Sequence, residues 1–270
     1  MKYGILGVLL LALLTGCATT TSPTGRRQYL ALSDSQLDQM GARAFSEMKM
    51  QQPVGKDARQ NAYVQCVVEA LVKQLPTELR SVPWEVAVFV DDTPNAFALP
   101  GGKVGVHTGI FKVAENQDQL AAVLGHEIGH VYARHSNERA SRQVATSTGI
   151  QVLGALAGVR YGQTGADLVT QGGGMAVQLG ILLPFSRVQE TEADDIGQRL
   201  MAQAGFDPRQ AALLWQNMIA ETAGSGRTPQ LLSTHPDPQN RIQELQKAAP
   251  SLMPVYEAER RAGNVPQCGN

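Results

Sequence analysis

The feature that most constrains this chain is the pentapeptide His126-Glu127-Ile128-Gly129-His130, an H-E-x-x-H motif. Apolar residues recur around it at helical spacing, which predicts a helix over about residues 117–147 with the motif beside the core. Histidines at i and i+4 lie on one helix face, so two imidazole nitrogens can reach one metal ion. Glu127 is turned about 100° away, where it can polarise a metal-bound water without being a ligand. The motif also occurs in unrelated helices, so further ligands have to be found.

His135 is the nearest candidate for a third metal ligand. A catalytic zinc ion usually takes three protein ligands and keeps one position for water. His135 lies five residues after His130, and no glycine between them turns the chain. On one continuous helix it would point away from His130, so we predict a solvated or capping histidine at this position.

The segment 186–194 is a better source of the missing ligand. Glu190 and Asp194 are four residues apart and share one face of a predicted helix. Glu190 can complete the metal site, and Asp194 can accept the Nδ1–H of His126 and so fix its tautomer. Glu192 points elsewhere on such a helix and is predicted to be solvated, and a plain polar helix face is the alternative for the whole cluster.

Four ordered blocks of the sequence together resemble a known family. They are the motif at 126–130, S-R-x-x-E-x-E-A-D at 186–194, Asn95–Gly102, and His235-Pro236-Asp237-Pro238 followed by Arg241-Ile242. Over about 24–247 the chain resembles the zinc metallopeptidases that include the CAAX prenyl protease, the heat-shock protease HtpX and the mitochondrial Oma protease. Its best match is the periplasmic lipoprotein branch of these enzymes.

The resemblance implies an α+β fold, a mainly helical zincin-like metallopeptidase domain with a small β-sheet beside the H-E-x-x-H helix. It implies one Zn²⁺ per chain held by His126, His130 and Glu190, with Glu127 as the general base toward a zinc-activated water. His235 has three interpretations. It can stabilise the tetrahedral intermediate, occupy the open zinc position as a gate, or cap the following helix.

The strands predicted upstream offer a place for a substrate. Residues 84–90 and 103–108 have the composition and alternation of strands, and the turn-rich link 95–102 joins them. Pro100 and two glycines favour a sheet edge, where an extended peptide can add as a strand, although an ordinary hairpin is the alternative. The predicted substrate-binding residues are Asn95, Ala96, Phe97, Gly101 and Gly102.

Further helices are predicted over about 33–50, 58–75, 186–204, 208–222 and 238–248. The glycine-rich segment 149–183 is apolar, but charged and amide side chains interrupt it. We therefore predict small-residue helices packed in a soluble core and no transmembrane hairpin. A mobile segment, or one that touches a membrane, is the alternative.

The N-terminal residues predict the cellular compartment of the protein. Residues 1–16 have the composition of a secretory signal peptide, and Leu14-Thr15-Gly16-Cys17 resembles a bacterial lipobox. The resemblance implies lipidation of Cys17 and, with Ala18 after it, a position on the periplasmic face of the outer membrane. An ordinary signal peptide with a chance cysteine is the alternative. We predict a flexible tether over 17–32, the peptidase domain over 33–250 and a tail over 251–270.

The two remaining cysteines indicate a disulfide, and the balance of charged residues indicates which partners are not expected. In an oxidising periplasm Cys66 and Cys268 invite a disulfide, although a buried Cys66 and a free Cys268 are the alternative. The chain has 23 Lys and Arg against 24 Asp and Glu and no basic cluster, so a nucleic-acid partner is not expected.

The function predicted from these features is that of a zinc endopeptidase of the cell envelope. Its expected substrates are polypeptides, namely misfolded or stalled envelope proteins, and its membrane contact is the lipid at Cys17. Two alternatives exist, an assembly factor or chaperone that uses the fold for binding, and a zinc-stabilised structural lipoprotein. The presence of Glu127 favours catalysis, because a binding module has no need of the base.

Overall fold

The computed structural model describes residues 19–148, 186–225 and 230–269, together with residues 151, 155 and 159. The predicted signal peptide, Cys17 and nearly all of the segment 149–183 lie outside the described residues. The chain divides into two compact units. The first comprises Met1–Asp34 with Ser136–Leu183, and the second comprises Ser35–His135 with Pro184–Asn270.

The first unit contains a β-hairpin where the composition favours a flexible tether. Strand β1 (Thr19–Thr21) pairs antiparallel with β2 (Arg27–Tyr29). Arg26 makes two hydrogen bonds to the buried carboxylate of Glu138, which belongs to a helical stretch over residues 135–148. A bidentate pair of this kind orders the hairpin, because it supplies the opposite charge that a buried carboxylate needs.

The second unit begins with three helices, α1 (Asp34–Gln51, whose first residue belongs to the first unit), α2 (Ala58–Val72) and α3 (Thr77–Arg80). Asp57 caps α2 by accepting two backbone N–H groups, so this helix begins where its sequence predicts. On α1 the buried face is Leu37, Gly41 and Phe45. The apolar Met40 is more than half exposed, because Gly41 is the residue that packs against the backbone of Pro100.

A three-stranded sheet follows, made of β3 (Glu85–Phe89), β4 (Ala96–Leu99) and β5 (Lys103–His107). The strand order is β3-β5-β4, with β3 parallel to β5 and β4 antiparallel to it. Residues 96–99, which composition predicts to be a link, are therefore an edge strand. Gly101 and Gly102 supply the positive φ angles of the turn into β5, at 76° and 69°.

Most of the remaining described residues of the second unit form helices. After a 3₁₀ turn at Thr108–Lys112 come α4 (Gln117–Tyr132), α5 (Arg187–Gln203), α6 (Gln210–Ser225), α7 (Gln230–Thr234) and α8 (Pro238–Arg261). One hydrophobic core joins α2, the sheet, α4, α5 and α6. None of the helices formed by the described residues is both long and apolar enough to cross a bilayer.

The C-terminal part of the chain is held against the motif helix. Helix α8 continues through Pro250 and Pro254, beyond the predicted end near residue 248. A disulfide joins Cys66 of α2 to Cys268. Gln117, the first residue of α4, donates to the carbonyl of Pro266 at 2.8 Å and accepts the backbone N–H of Cys268 at 3.0 Å. The tail thus fixes the start of the helix that carries the motif.

Candidate metal centre

The motif lies in the second half of α4, a helix that is buried almost from end to end. The side chain of Asn116 caps its N-terminus by accepting the N–H of Gln119 at 2.9 Å. His126, Glu127 and His130 are between 1% and 4% exposed. Three ionisable side chains at this depth need partners, since a lone buried charge is strongly unfavourable.

Helix α5 brings the second set of polar side chains to the motif. Ser186 and Gln189 form a reciprocal capping box that begins α5 one turn before the acidic cluster. Glu190 and Asp194 lie four residues apart on the face toward α4, and both are buried. Glu190 therefore meets the two motif histidines from the neighbouring helix, as its spacing predicts.

Four side chains converge on one point, His126, His130, Glu190 and His235, and one donor atom from each lies within 4.8 Å of the others. The two Nε2 atoms of His126 and His130 are 3.0 Å apart. Each of them lies 3.4 Å from one oxygen of Glu190. Histidine nitrogens and a carboxylate are ligands typical of zinc, so this donor set fits such an ion.

The ionisation of the centre follows from burial and charge. Burial and the nearby Arg241 oppose protonation of His126, but Asp194 and Glu190 outweigh them and raise its pKa to about 9. Burial holds the pKa of His130 well below its usual value. Burial also opposes ionisation of Glu190, yet its hydrogen bonds to the surrounding histidines lower its pKa, so it is a carboxylate.

Glu127 lies beside the donor set and is incompletely satisfied. Burial raises the pKa of its carboxyl group. Its Oε1 is buried and makes no hydrogen bond within the described part of the chain, although His235 Nε2 lies 3.4 Å away. The backbone N–H of Ala98 on β4 donates to the same carboxylate. An unsatisfied buried oxygen next to four converging donor atoms is suited to hold a water molecule.

Behind His126 lies a buried network centred on Asp194 and Arg241. Asp194 Oδ1 is 2.9 Å from His126 Nδ1. Arg241 donates to both oxygens of Asp194, at 2.6 and 2.7 Å, and its Nη1 is 2.9 Å from Glu190 Oε2. The guanidinium lies 3.8 Å over the ring of Trp215. The residue pattern indicates the Asp194 contact, whereas the clamp by Arg241 has no signal apart from its place in the block that begins at His235.

His135 and Glu192 correct two predictions, because both are buried and neither is solvated. Helix α4 ends at Tyr132, and Arg134 adopts a left-handed φ of 56°. The break turns His135 back toward the motif. Its Nδ1 lies 2.8 Å from His130 Nδ1 and its Nε2 lies 3.1 Å from Glu192 Oε2. The prediction for His135 is wrong because it assumes one continuous helix, and the prediction for Glu192 is wrong because His135 packs against this carboxylate. His135 does stay outside the four-donor cluster.

The residues predicted to bind substrate are spread along β4 and its turn. The carbonyl of Asn95 accepts the N–H of His107, and Ala96 is buried. The ring of Phe97 packs with Phe45 and covers Gly105. Gly101 and Gly102 lie in the turn, beside Asp38 and Trp84 respectively. Ala98, which is not among the predicted residues, places its backbone N–H at the carboxylate of Glu127.

A buried H-E-x-x-H helix, a glutamate from a second helix and a small adjacent sheet define a zincin-like metallopeptidase domain. The chain belongs to Peptidase family M48, whose family model matches residues 58–249. The resemblance inferred from the four sequence blocks is thereby confirmed.

Two kinds of relative illustrate the family. The chain is 42% identical over 172 residues to the mitochondrial metalloendopeptidase OMA1 of Schizosaccharomyces pombe, covering 64% of this chain and 48% of that protein. It is 29% identical over 242 residues to the beta-barrel assembly-enhancing protease of Escherichia coli K12, covering 88% of this chain and 49% of that protein. The chain thus spans about half the length of these relatives.

Proposed function

We propose that this protein is a zinc-dependent endopeptidase. The observation that carries the proposal is the unsatisfied Oε1 of Glu127 beside the four converging donor atoms of the centre. A site that only stabilised the fold would have no use for a buried carboxylate next to its ligands, because burying it unpaired is costly. Membership of the M48 peptidases supports the same conclusion.

His126, His130 and Glu190 would hold the zinc ion. When bound, zinc supplies Lewis acidity, which lowers the pKa of a coordinated water and polarises a carbonyl group. Glu127 is the general base, because its carboxylate accepts a proton from water and can return it to the leaving amine.

The outer edge of β4 is the proposed place for the substrate. Because His107 N–H donates to the carbonyl of Asn95, the alternation of an antiparallel ladder turns the N–H and C=O groups of residues 96 and 98 away from β5. The bond from Ala98 N–H to Glu127 agrees with this direction. An extended peptide paired along this edge would bring its backbone beside the centre.

His235 would regulate access to the zinc ion. Its Nδ1 lies 3.1 Å from His126 Nε2 and 3.0 Å from Glu190 Oε2, so it contributes the fourth donor of the cluster. This position is the one that water and substrate require. The contact favours the gating interpretation over that of a capping histidine.

We further propose that the enzyme acts on misfolded or stalled envelope proteins from a lipid anchor at Cys17. The lipobox-like Leu14-Thr15-Gly16-Cys17 supports the location. The name of the E. coli relative, a beta-barrel assembly-enhancing protease, supports the envelope as the source of substrates. Metabolic labelling with a fatty acid tests the anchor, since replacement of Cys17 by Ala would remove the label and release the protein from membranes.

The full chain, purified in detergent, tests the activity. Cleavage of casein and zinc content would be measured for the wild type and for Glu127→Gln, which keeps the size of the side chain and removes the base. Zinc in both and cleavage only in the wild type would support the proposal. Wild-type protein that binds no zinc after reconstitution would overturn it. An envelope function that survives Glu127→Gln would instead favour the assembly factor.

A further inference from the structure

We propose that His135 and Glu192 form a relay that positions His130 for metal binding and sets its tautomer. The proposal rests on the proposed function, in which His130 is a zinc ligand. Neither His135 nor Glu192 lies among the four converging donors. They are positioning residues, since they touch His130 or each other and not the reacting atoms.

With His135 in its neutral form, the donor and acceptor roles along this relay are fixed. The carboxylate of Glu192 only accepts hydrogen bonds, so His135 Nε2, 3.1 Å away, has to carry a hydrogen. A neutral His135 then has a lone pair on Nδ1, which faces His130 Nδ1 at 2.8 Å. His130 therefore donates from Nδ1 and leaves its Nε2 unprotonated. That Nε2 is the atom that points into the donor cluster, 3.0 Å from His126 Nε2.

The surroundings make the relay selective for this tautomer. His130, His135 and Glu192 are all buried, and His135 is fully so. In such a low-dielectric site a hydrogen bond of the wrong polarity would leave buried groups unsatisfied. A histidine binds a metal ion through the unprotonated nitrogen of its neutral ring, and this is the form that the relay favours.

The two motif histidines are thus supported by separate carboxylates. His126 reaches Asp194 directly, with its Nδ1 2.9 Å from Oδ1. The Nδ1 of His130 instead lies beside His135, which connects it to Glu192. His135 reaches this position because the chain turns at Arg134 after the end of α4. Helix α5 supplies both carboxylates, two residues apart.

Zinc affinity of the full chain, measured by competition with a chromophoric chelator, tests the relay. His135→Leu removes both hydrogen bonds. His135→Asn keeps an acceptor near the Nδ1 position but is too short to reach Glu192. Glu192→Gln keeps an acceptor and removes the charge. His107→Leu is the matched control, because His107 is also a buried histidine but lies on β5, outside the centre.

We expect His135→Leu to weaken zinc binding about 10- to 100-fold, the range typical of partners that orient a ligand. The His135→Asn and Glu192→Gln variants should fall between it and the wild type, and the control should bind as the wild type does. In the zinc-loaded protein, the Nδ1–H proton of His130 should give an exchange-protected NMR signal that His135→Asn keeps and His135→Leu loses. A merely structural role would not move that signal.

Wild-type affinity in all three relay variants would overturn the relay, as would an Nδ1–H signal of His130 that persists in His135→Leu. If His135→Leu does not fold, the zinc affinities of His135→Asn and Glu192→Gln test the relay, because both variants keep a polar side chain at the substituted position. If the wild type binds zinc and the variants bind it with the same affinity, only the relay is rejected. A wild type that binds no zinc rejects the proposed ligand set, and the relay with it.

Discussion

Gly125 of α4 and Gly197 of α5 meet backbone to backbone. A β-carbon added to Gly197 would lie 2.7 Å from the carbonyl carbon of Gly125 and 2.7 Å from the amide nitrogen of His126. One turn further on, a β-carbon on Gly129 would lie 2.8 Å from the carbonyl oxygen of Ala193. Because the motif histidines lie on one of these helices and Glu190 on the other, this close crossing sets the distance between the proposed ligands.

Gly197→Ala should therefore damage the centre as well as the fold. The added methyl group has to push α5 away from α4, which costs about 1–3 kcal/mol of stability by overpacking. It should also weaken zinc binding, because Glu190 moves with α5. Urea unfolding and chelator competition measure the two effects.

Leu214→Ala serves as the control for this prediction. It removes a fully buried side chain from α6 and costs about 2–5 kcal/mol, yet it lies away from the helix crossing. Its folded form should bind zinc as the wild type does. Equal zinc affinities for Gly197→Ala and wild type would contradict the role of the crossing.

The clamp of Arg241 on Asp194 leads to a second prediction. Arg241→Leu leaves Asp194 buried without its guanidinium, which should cost about 3–5 kcal/mol. Arg241→Lys should not restore the loss, because an ammonium group cannot make the two parallel hydrogen bonds. The double variant with Asp194→Leu should lose less than the sum of the single losses. Strict additivity in urea unfolding of the zinc-free protein would contradict the pairing.

The sequence predicts the structure best where its local signals are strong. Helices α2 and α5 begin where they were predicted, because Asp57 and Ser186 cap them through their own side chains. The donors from α4 and α5 follow from i, i+4 spacing, which is a property of the helix alone. The sequence predicts a link at strand β4, because a short edge strand between turn residues has no periodicity of its own.

The helix break at residues 133–134 could not be predicted in the same way. Ala133 and Arg134 are good helix formers, and the left-handed φ of Arg134 is a tertiary effect. The position of His135, and with it the contact between His135 and Glu192, depends on that single residue. The clamp by Arg241 is similarly non-local, since 47 residues separate it from Asp194 in the chain.

Removal of His235 distinguishes its two active roles. If His235 occupies the fourth zinc position as a gate, His235→Ala should raise casein turnover, because water and substrate gain that position. If it stabilises the tetrahedral intermediate, the same variant should lose turnover while zinc content stays unchanged. Initial rates at matched zinc loading measure the difference, with Glu127→Gln in the same background as the inactive control.

The disulfide between Cys66 and Cys268 should contribute strongly to stability. It closes a loop with a sequence separation of 202, so its loss enlarges the unfolded ensemble and should cost about 2–5 kcal/mol. A double Ser variant measured by urea unfolding gives this value. Gln117→Ala is the control, because it removes two hydrogen bonds to the tail and keeps the disulfide. The loss of each hydrogen bond should cost only about 1 kcal/mol. Equal stability of the Ser variant and the wild type would contradict the prediction.

Tyr63 should make the fold sensitive to alkaline pH. Burial, with a smaller effect from the charge of Asp118, raises its pKa from 10.0 to about 12. Between these values the unfolded chain loses the phenolic proton and the folded chain keeps it, so stability falls as pH rises from about 10 to 12. The loss attributable to this residue is about 2–3 kcal/mol, as expected for two pKa units.

Tyr63→Phe isolates this effect. Its hydroxyl is buried without a hydrogen-bond partner in the described part of the chain, so the variant should match or exceed wild-type stability at pH 8. At pH 11 the variant should be clearly more stable than the wild type, because it has no proton to lose. Urea unfolding at both values, with Tyr29→Phe as the matched control, measures the difference. A wild type and variant with parallel pH profiles would show that the phenol of Tyr63 ionises as readily in the fold as in the unfolded chain.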